Sequence, residues 1–178
     1  MNVYENGLVT EFREKLSALK GATLNAWEST LPMDDSQRQT SFGYVRLRTS
    51  VGTLVLCLFE ALDFPDVGKA EILGQQELEE RVASTPGSLP PDEWHSCFVG
   101  KVVRDVRLYT DIATEVRGSP DDETIVHDLC GVAFIFGDEA LLLEKTYAMS
   151  EFWEISRQPA GDIRLTGRPR RNIVSVTL

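Results

Sequence analysis

Apolar residues near the start of the chain fall on one stripe of a helix. Leu8, Phe12, Leu16 and Leu19 recur at spacings of four, four and three, with Thr10 and Glu11 near the beginning and Gly21 as a stop. After Gly21 the period changes to two, which predicts a strand over Thr23 to Glu28. Leu31 to Gln39 is polar and reads as a loop. In Tyr44 to Thr49, Val45 and Leu47 alternate with Arg46 and Arg48, the pattern of a strand with one wet face. A turn at Val51-Gly52 follows, and Leu54 to Phe59 is apolar on both faces, as a strand at the centre of a sheet is.

Between Asp63 and Pro91 the composition shifts toward Gly, Pro, Gln and Glu, predicting a short middle helix around Gln75 to Ala83 and a Pro-rich linker over residues 84–91. Strand signals resume at Val102 to Tyr109 and, after a loop through Gly118 to Glu123, at Val132 to Phe136. A Gly137-Asp138 turn leads to Leu141 to Glu144, and Phe152 to Ser156, Ile163 to Thr166 and Ile173 to Leu178 add three short strands. The order repeats. Leu19 to Trp27, Tyr44 to Arg48 and Leu54 to Leu56 are matched in the second half by Val99 to Val106, Gly131 to Phe136 and Leu141 to Leu143. The expectation is a single α+β domain over residues 1–178, mostly antiparallel hairpins, with pseudo-repeated halves 8–83 and 92–178 joined by 84–91.

Charge narrows the partners. Lys and Arg sum to 18 and Asp and Glu to 28, so the net charge is −10, which disfavours nucleic acid and anionic membranes and favours basic partners. The balance is uneven: from Arg157 to Leu178 five arginines face one acid, Asp162, leaving +4 there and −14 over residues 1–156. The basic tail is therefore able to fold back onto the acidic body. The longest uncharged run, Thr49 to Phe59, has eleven residues, short of the roughly 20 that span a bilayer. The first residues show neither a cationic nor an apolar leader region. Three scattered cysteines, Cys57, Cys97 and Cys130, suit a reducing compartment, so a cytoplasmic location is expected.

Catalytic signatures are missing. No glycine-rich phosphate cradle, dinucleotide fingerprint, nucleophile elbow or His-Glu-x-x-His occurs, and His95 and His127 are the only histidines. His95, Cys97, His127 and Cys130 together have the composition of a structural zinc set, but His-x-Cys is an uncommon ligand spacing and core packing explains these residues more cheaply. Neither a metal nor another cofactor is expected. The acidic pairs Asp34-Asp35, Asp63-x-x-Asp66, Asp121-Asp122-Glu123 and Asp138-Glu139 all fall in predicted loops, where carboxylates commonly cap turns.

Loop-borne carboxylates beside aromatics such as Trp27, Tyr44, Trp94, Tyr147 and Trp153 suit binding better than turnover. The runs Val99-Gly-Lys-Val-Val-Arg-Asp-Val, Gly131-Val-Ala-Phe-Ile-Phe-Gly-Asp-Glu-Ala-Leu-Leu-Leu and Phe152-Trp-Glu-Ile, within the last 80 residues or so, resemble the sheets of small bacterial immunity proteins. Those are cytoplasmic inhibitors of polymorphic or contact-dependent toxins. The resemblance implies a non-enzyme that occludes the active site of a basic, nuclease-like toxin domain with phosphate-mimicking carboxylates. Asp121, Asp122, Glu123, Asp138 and Glu139 are the first-choice contacts, and Asp34 and Asp35 the second. Two alternatives stay open at this point: an enzyme or ligand-binding domain whose pocket uses His95 and His127, and a structural subunit of a larger complex.

Overall fold

Glycine turns and alternating apolar positions define two long hairpins, and everything else is arranged around them. A computed structural model describes residues 2–5, 13–29, 38–42, 44–61, 64–73, 76, 93–116, 123–145, 152–166 and 173–178. Among the described residues twelve strands run in chain order: β1 (Asn2–Glu5), β2 (Leu24–Ser29), β3 (Arg38–Phe42), β4 (Tyr44–Thr49), β5 (Gly52–Ala61), β6 (Phe64–Leu73), β7 (Glu93–His95), β8 (Asp105–Val116), β9 (Glu123–Phe136), β10 (Glu139–Glu144), β11 (Phe152–Pro159) and β12 (Ile173–Thr177). Residues 13–17 form the helix α1. The predicted stripe is realised where it is described: Leu16 and Leu19 are buried, while Leu8 and Phe12 lie outside the described residues. Gln76 is helical, and the rest of the predicted middle helix and the linker 84–91 lie outside the described residues.

The strands form two sheets, almost wholly antiparallel. The smaller has the order β6-β5-β4-β2-β7. The larger has the order β12-β8-β9-β10-β11-β3, with β1 added parallel to β9. Leu24, Trp27, Val45, Leu47, Leu54 and Leu56 from the small sheet meet Val106, Leu108, Val132, Phe134, Leu141, Leu143 and Ile155 from the large one in a single core. Each such side chain contributes roughly 1.5–3 kcal/mol by leaving water, which is why period-two alternation is enforced on these strands. The opposite face of the large sheet carries a second cluster, Tyr109, Cys130, Ala133, Ile135, Ala140 and Leu142, covered by Ile163 and Leu165.

Three elements differ from the sequence expectation. Of residues 31–39, read as loop, 31–37 lie outside the described residues and 38–39 open β3, an edge strand whose polar sequence, Arg-Gln-Thr-Ser-Phe, gives no alternation to read. The stretch from Asp63 to Pro91, read as a shift toward Gly, Pro, Gln and Glu without a strand, begins with β6, a ten-residue edge strand; Pro65 and Gly68 lower its strand signal, yet an edge position tolerates them. Ile163 to Thr166, read as a strand, is irregular, because the Arg164 N–H donates to the Gln158 side chain (2.7 Å) instead of to a neighbouring strand. Its alternation is real but is spent on covering the second cluster. Glu144 holds the end of this cover, accepting from the Thr166 N–H (2.7 Å) and hydroxyl (3.1 Å).

Two crossings tie the sheets together. One residue separates β3 in the large sheet from β4 in the small one, so Phe42, opposite Phe152 at the start of β11, and Tyr44 mark the same end of both sheets. At the other end the chain leaves β7, pairs through residues 100–103 with residues 21–24, and enters β8. The tight turns at 50–51 and 137–138 flank this ribbon; Gly137 takes a φ of 83°, which lets β9 and β10 join through two residues.

Candidate functional site

Strand β9 separates the two groups of carboxylates singled out in the sequence. Glu123 opens it opposite Val116, just after the segment 117–122 that carries Asp121 and Asp122 and lies outside the described residues. Asp138 and Glu139 follow its last residue, Phe136. Fourteen residues at about 3.3 Å each put Glu123 roughly 40 Å from the Asp138-Glu139 turn, at the opposite end of the strand. Asp34 and Asp35 lie outside the described residues.

The Asp138-Glu139 end is built around Phe98. Its ring is buried against Phe136, centroids 4.7 Å apart and planes inclined by 22°. Lys101 Nζ stands 5.1 Å and Arg157 Cζ 5.6 Å from the Phe98 centroid. Both cations donate to Glu139, Lys101 Nζ at 2.8 Å and Arg157 Nε at 2.7 Å. The Lys101 hydrogen bond first, and then that of Arg157, holds the Glu139 carboxyl below the usual carboxylate range. Glu139 is thus already neutralised from within, while Asp138 is exposed and its carbonyl accepts the Ala160 N–H at 2.9 Å. The pairing of Arg157 with Glu139 joins the basic tail to the body; Arg164, farther along, pairs with Asp162 inside the tail itself.

At the opposite end two hairpins project. Beyond Cys57, the last partner of β4, strand β5 pairs with β6 alone, and beyond Gly131 strand β9 pairs with β8 and β1 but no longer with β10. The stretches 57–75 and 111–128 hold four acids against one lysine and six against one arginine. Asp111 and Asp128 are register partners, a like-charged pair across neighbouring strands. Among the residues whose side chains the structure describes, eleven cationic side chains stand against eight acidic ones, so the acidic surplus of the chain resides elsewhere, including these two arms.

The residues of the other candidate chemistries are spread over both sheets. His95 is the register partner of Trp27 in the small sheet, whereas His127 pairs with Ile112 and Glu5 in the large one. Cys97 packs against the core between the sheets and Cys130 belongs to the cluster on the far face of the large sheet. Burial pushes the Cys97 thiol up, and Cys130 Sγ, at a bulge between β8 and β9, donates to the Tyr109 carbonyl at 3.1 Å. Among the described residues no three His, Cys, Asp or Glu side chains gather where a metal ion could be held, and no helix is long and apolar enough to cross a membrane.

The sequence pattern missed two features. Arg46, expected on a wet face, is half-buried and paired with the buried Glu28, its register partner across β2 and β4; burial pushes the Glu28 carboxyl up against the pull of that guanidinium. The signal was present, since Glu28 and Arg46 each interrupt an apolar strand, but only the register brings them together. The convergence of Lys101 and Arg157 on Glu139 had no local signal, the three residues coming from separate segments. No family model matches this chain, and neither the curated proteins nor the solved structures contain a match to it.

Proposed function

We propose that the protein is an acidic binding protein of the immunity type, which neutralises a basic toxin domain by covering its active site. The observation that carries this reading is the polarity of charge. The described scaffold is slightly cationic, while two acidic arms, one from each sheet, project at the same end, away from the ribbon. Carboxylates gathered on hairpins steer a basic partner into place and select against wrong ones. Asp121, Asp122 and Glu123 are then the principal contacts, and Asp34 and Asp35, which follow β2 in the chain, are the second choice. Asp138 and Glu139, about 40 Å away along β9, take the role of a separate, secondary contact. The protein acts in the cytoplasm and uses no cofactor.

The two halves are, in this reading, pseudo-repeats. Each contributes a meander, β2-β4-β5-β6 or β8-β9-β10-β11, whose next strand in the chain returns to pair with the first, β7 with β2 and β12 with β8. The matching strand orders support the idea, with β1 and β3 as additions to the second unit.

The test is a pull-down from the native host combined with a search of the neighbouring reading frames for a basic domain and its co-expression with this chain. Capture of such a domain, and at least tenfold weaker binding by the Asp121→Asn, Asp122→Asn, Glu123→Gln triple variant, is the expected result. Full binding by that variant, or no basic partner at all, overturns the reading.

A further inference from the structure

We propose that Lys101, Glu139 and Arg157, closed over the ring of Phe98, form a latch that locks the crossover between the sheets and keeps it on the edge of β2. Phe98 has a φ of 63°, a left-handed conformation that a bulky aromatic residue adopts only when its surroundings impose it. The surroundings here come from the opposite sheet: Phe136 ends β9, Glu139 opens β10 and Arg157 lies on β11. The turn itself is closed by the Lys101 N–H donating to the Phe98 carbonyl (3.0 Å), and the neighbouring Cys97 carbonyl accepts the Trp27 indole N–H (2.9 Å).

What the latch protects is the open side of β2. Strand β7 covers only Trp27 to Ser29; the crossover pairs with Leu24 at the start of β2 and with Gly21 and Ala22 just before it. Gly100 N–H donates to the Leu24 carbonyl (2.8 Å), Leu24 N–H to Lys101 (3.0 Å), Val103 N–H to Ala22 (2.8 Å) and Gly21 N–H to Val103 (2.8 Å). An uncovered strand edge is a template for pairing with another chain, so holding the crossover down guards the small sheet. A single cation would satisfy one oxygen of Glu139; two, from different segments, fasten both Lys101 on the crossover and Arg157 on β11 to β10.

Hydrogen exchange on the full chain tests this, with the amides of Gly21, Leu24, Gly100 and Val103 as reporters. In Glu139→Gln these four are expected to exchange at least tenfold faster, while amides of the core strands, such as Leu108 and Phe134, keep their rates. Unchanged reporters, or acceleration in equal measure throughout the sheets, overturns the latch, the latter showing that Glu139 adds only to global stability. Should Glu139→Gln not fold, the wild-type chain is followed at about 1 M salt, where exposed ion pairs are screened within about 3 Å. Selective acceleration of the same reporters supports the latch, and its absence overturns it.

Discussion

Two glutamates illustrate how burial and partners decide the behaviour of one residue type. Glu28 is buried beside Arg46 and its carboxyl is pushed up by desolvation; Glu139 sits nearer the surface between two cations and its carboxyl is pulled down. The consequences for stability have opposite signs. A raised carboxyl binds a proton more readily in the folded state, so the contribution of Glu28 is fullest at low pH and is lost as pH rises through its raised value. Glu139 contributes above the ordinary value of 4.5 and loses that contribution as pH falls through its lowered one. The difference in Tm between the wild-type chain and Glu139→Gln is therefore expected to be constant near neutrality and to close as the pH drops below that value; a difference independent of pH contradicts the assignment. Removing Arg46 leaves Glu28 buried without its cation. Arg46→Ala is expected to cost about 3 kcal/mol in urea unfolding at neutral pH, and an apolar replacement of both residues to recover much of that.

At the scale of elements, legibility followed contiguity. The β4–β5 and β9–β10 hairpins could be read because alternation, turn and return lie within one stretch, as in Val132 to Leu143. Strands β1 and β3 could not, because what makes them strands is a neighbour supplied by a distant part of the chain, and β6, whose partner β5 directly precedes it, is obscured by Pro65 and Gly68. The cover over 163–166 shows the converse error: Ile163 and Leu165 alternate correctly but pack on a sheet face instead of joining it. Gly131 explains how closely they approach. A Cβ there would lie 3.2 Å from the Leu143 carbonyl oxygen and 3.2 Å from Leu165 Cδ2. Gly131→Ala is expected to destabilise by about 1–2 kcal/mol and to loosen the cover, since Leu165 yields more easily than backbone does. Cys130 beneath it reports the change. Its alkylation, followed by mass spectrometry, is expected to be slower than that of half-buried Cys97 in the wild-type chain and to accelerate in Gly131→Ala and Leu165→Ala. Equal rates in all three proteins contradict a cover that seals this face.

For the whole molecule, the candidate site was legible as a charge imbalance but not as a place. The sequence offered Asp121, Asp122, Glu123, Asp138 and Glu139 together, and only the length and direction of β9 set Glu123 and the Asp138-Glu139 turn at opposite ends of one strand. The same topology bears on whether the halves can exist alone. A duplicated pair of independent domains would each keep a core, yet here one core takes side chains from both sheets, and the chain exchanges elements between them: β3, from the first half, extends the large sheet, and β7, from the start of the second, edges the small one. Splitting the chain at the linker exposes Trp27, Leu47 and Leu56 on one piece and Phe134, Leu141 and Ile155 on the other, and strips β11 of its β3 neighbour. The full chain is accordingly expected to unfold in one transition, with fluorescence from Trp27 in the small sheet coinciding with the loss of sheet signal by circular dichroism. Residues 8–83 and 92–178 expressed separately are expected to be unfolded, and mixing them to restore structure. Either piece folding alone, or two resolved transitions, means that the shared core contributes less than the meanders do by themselves.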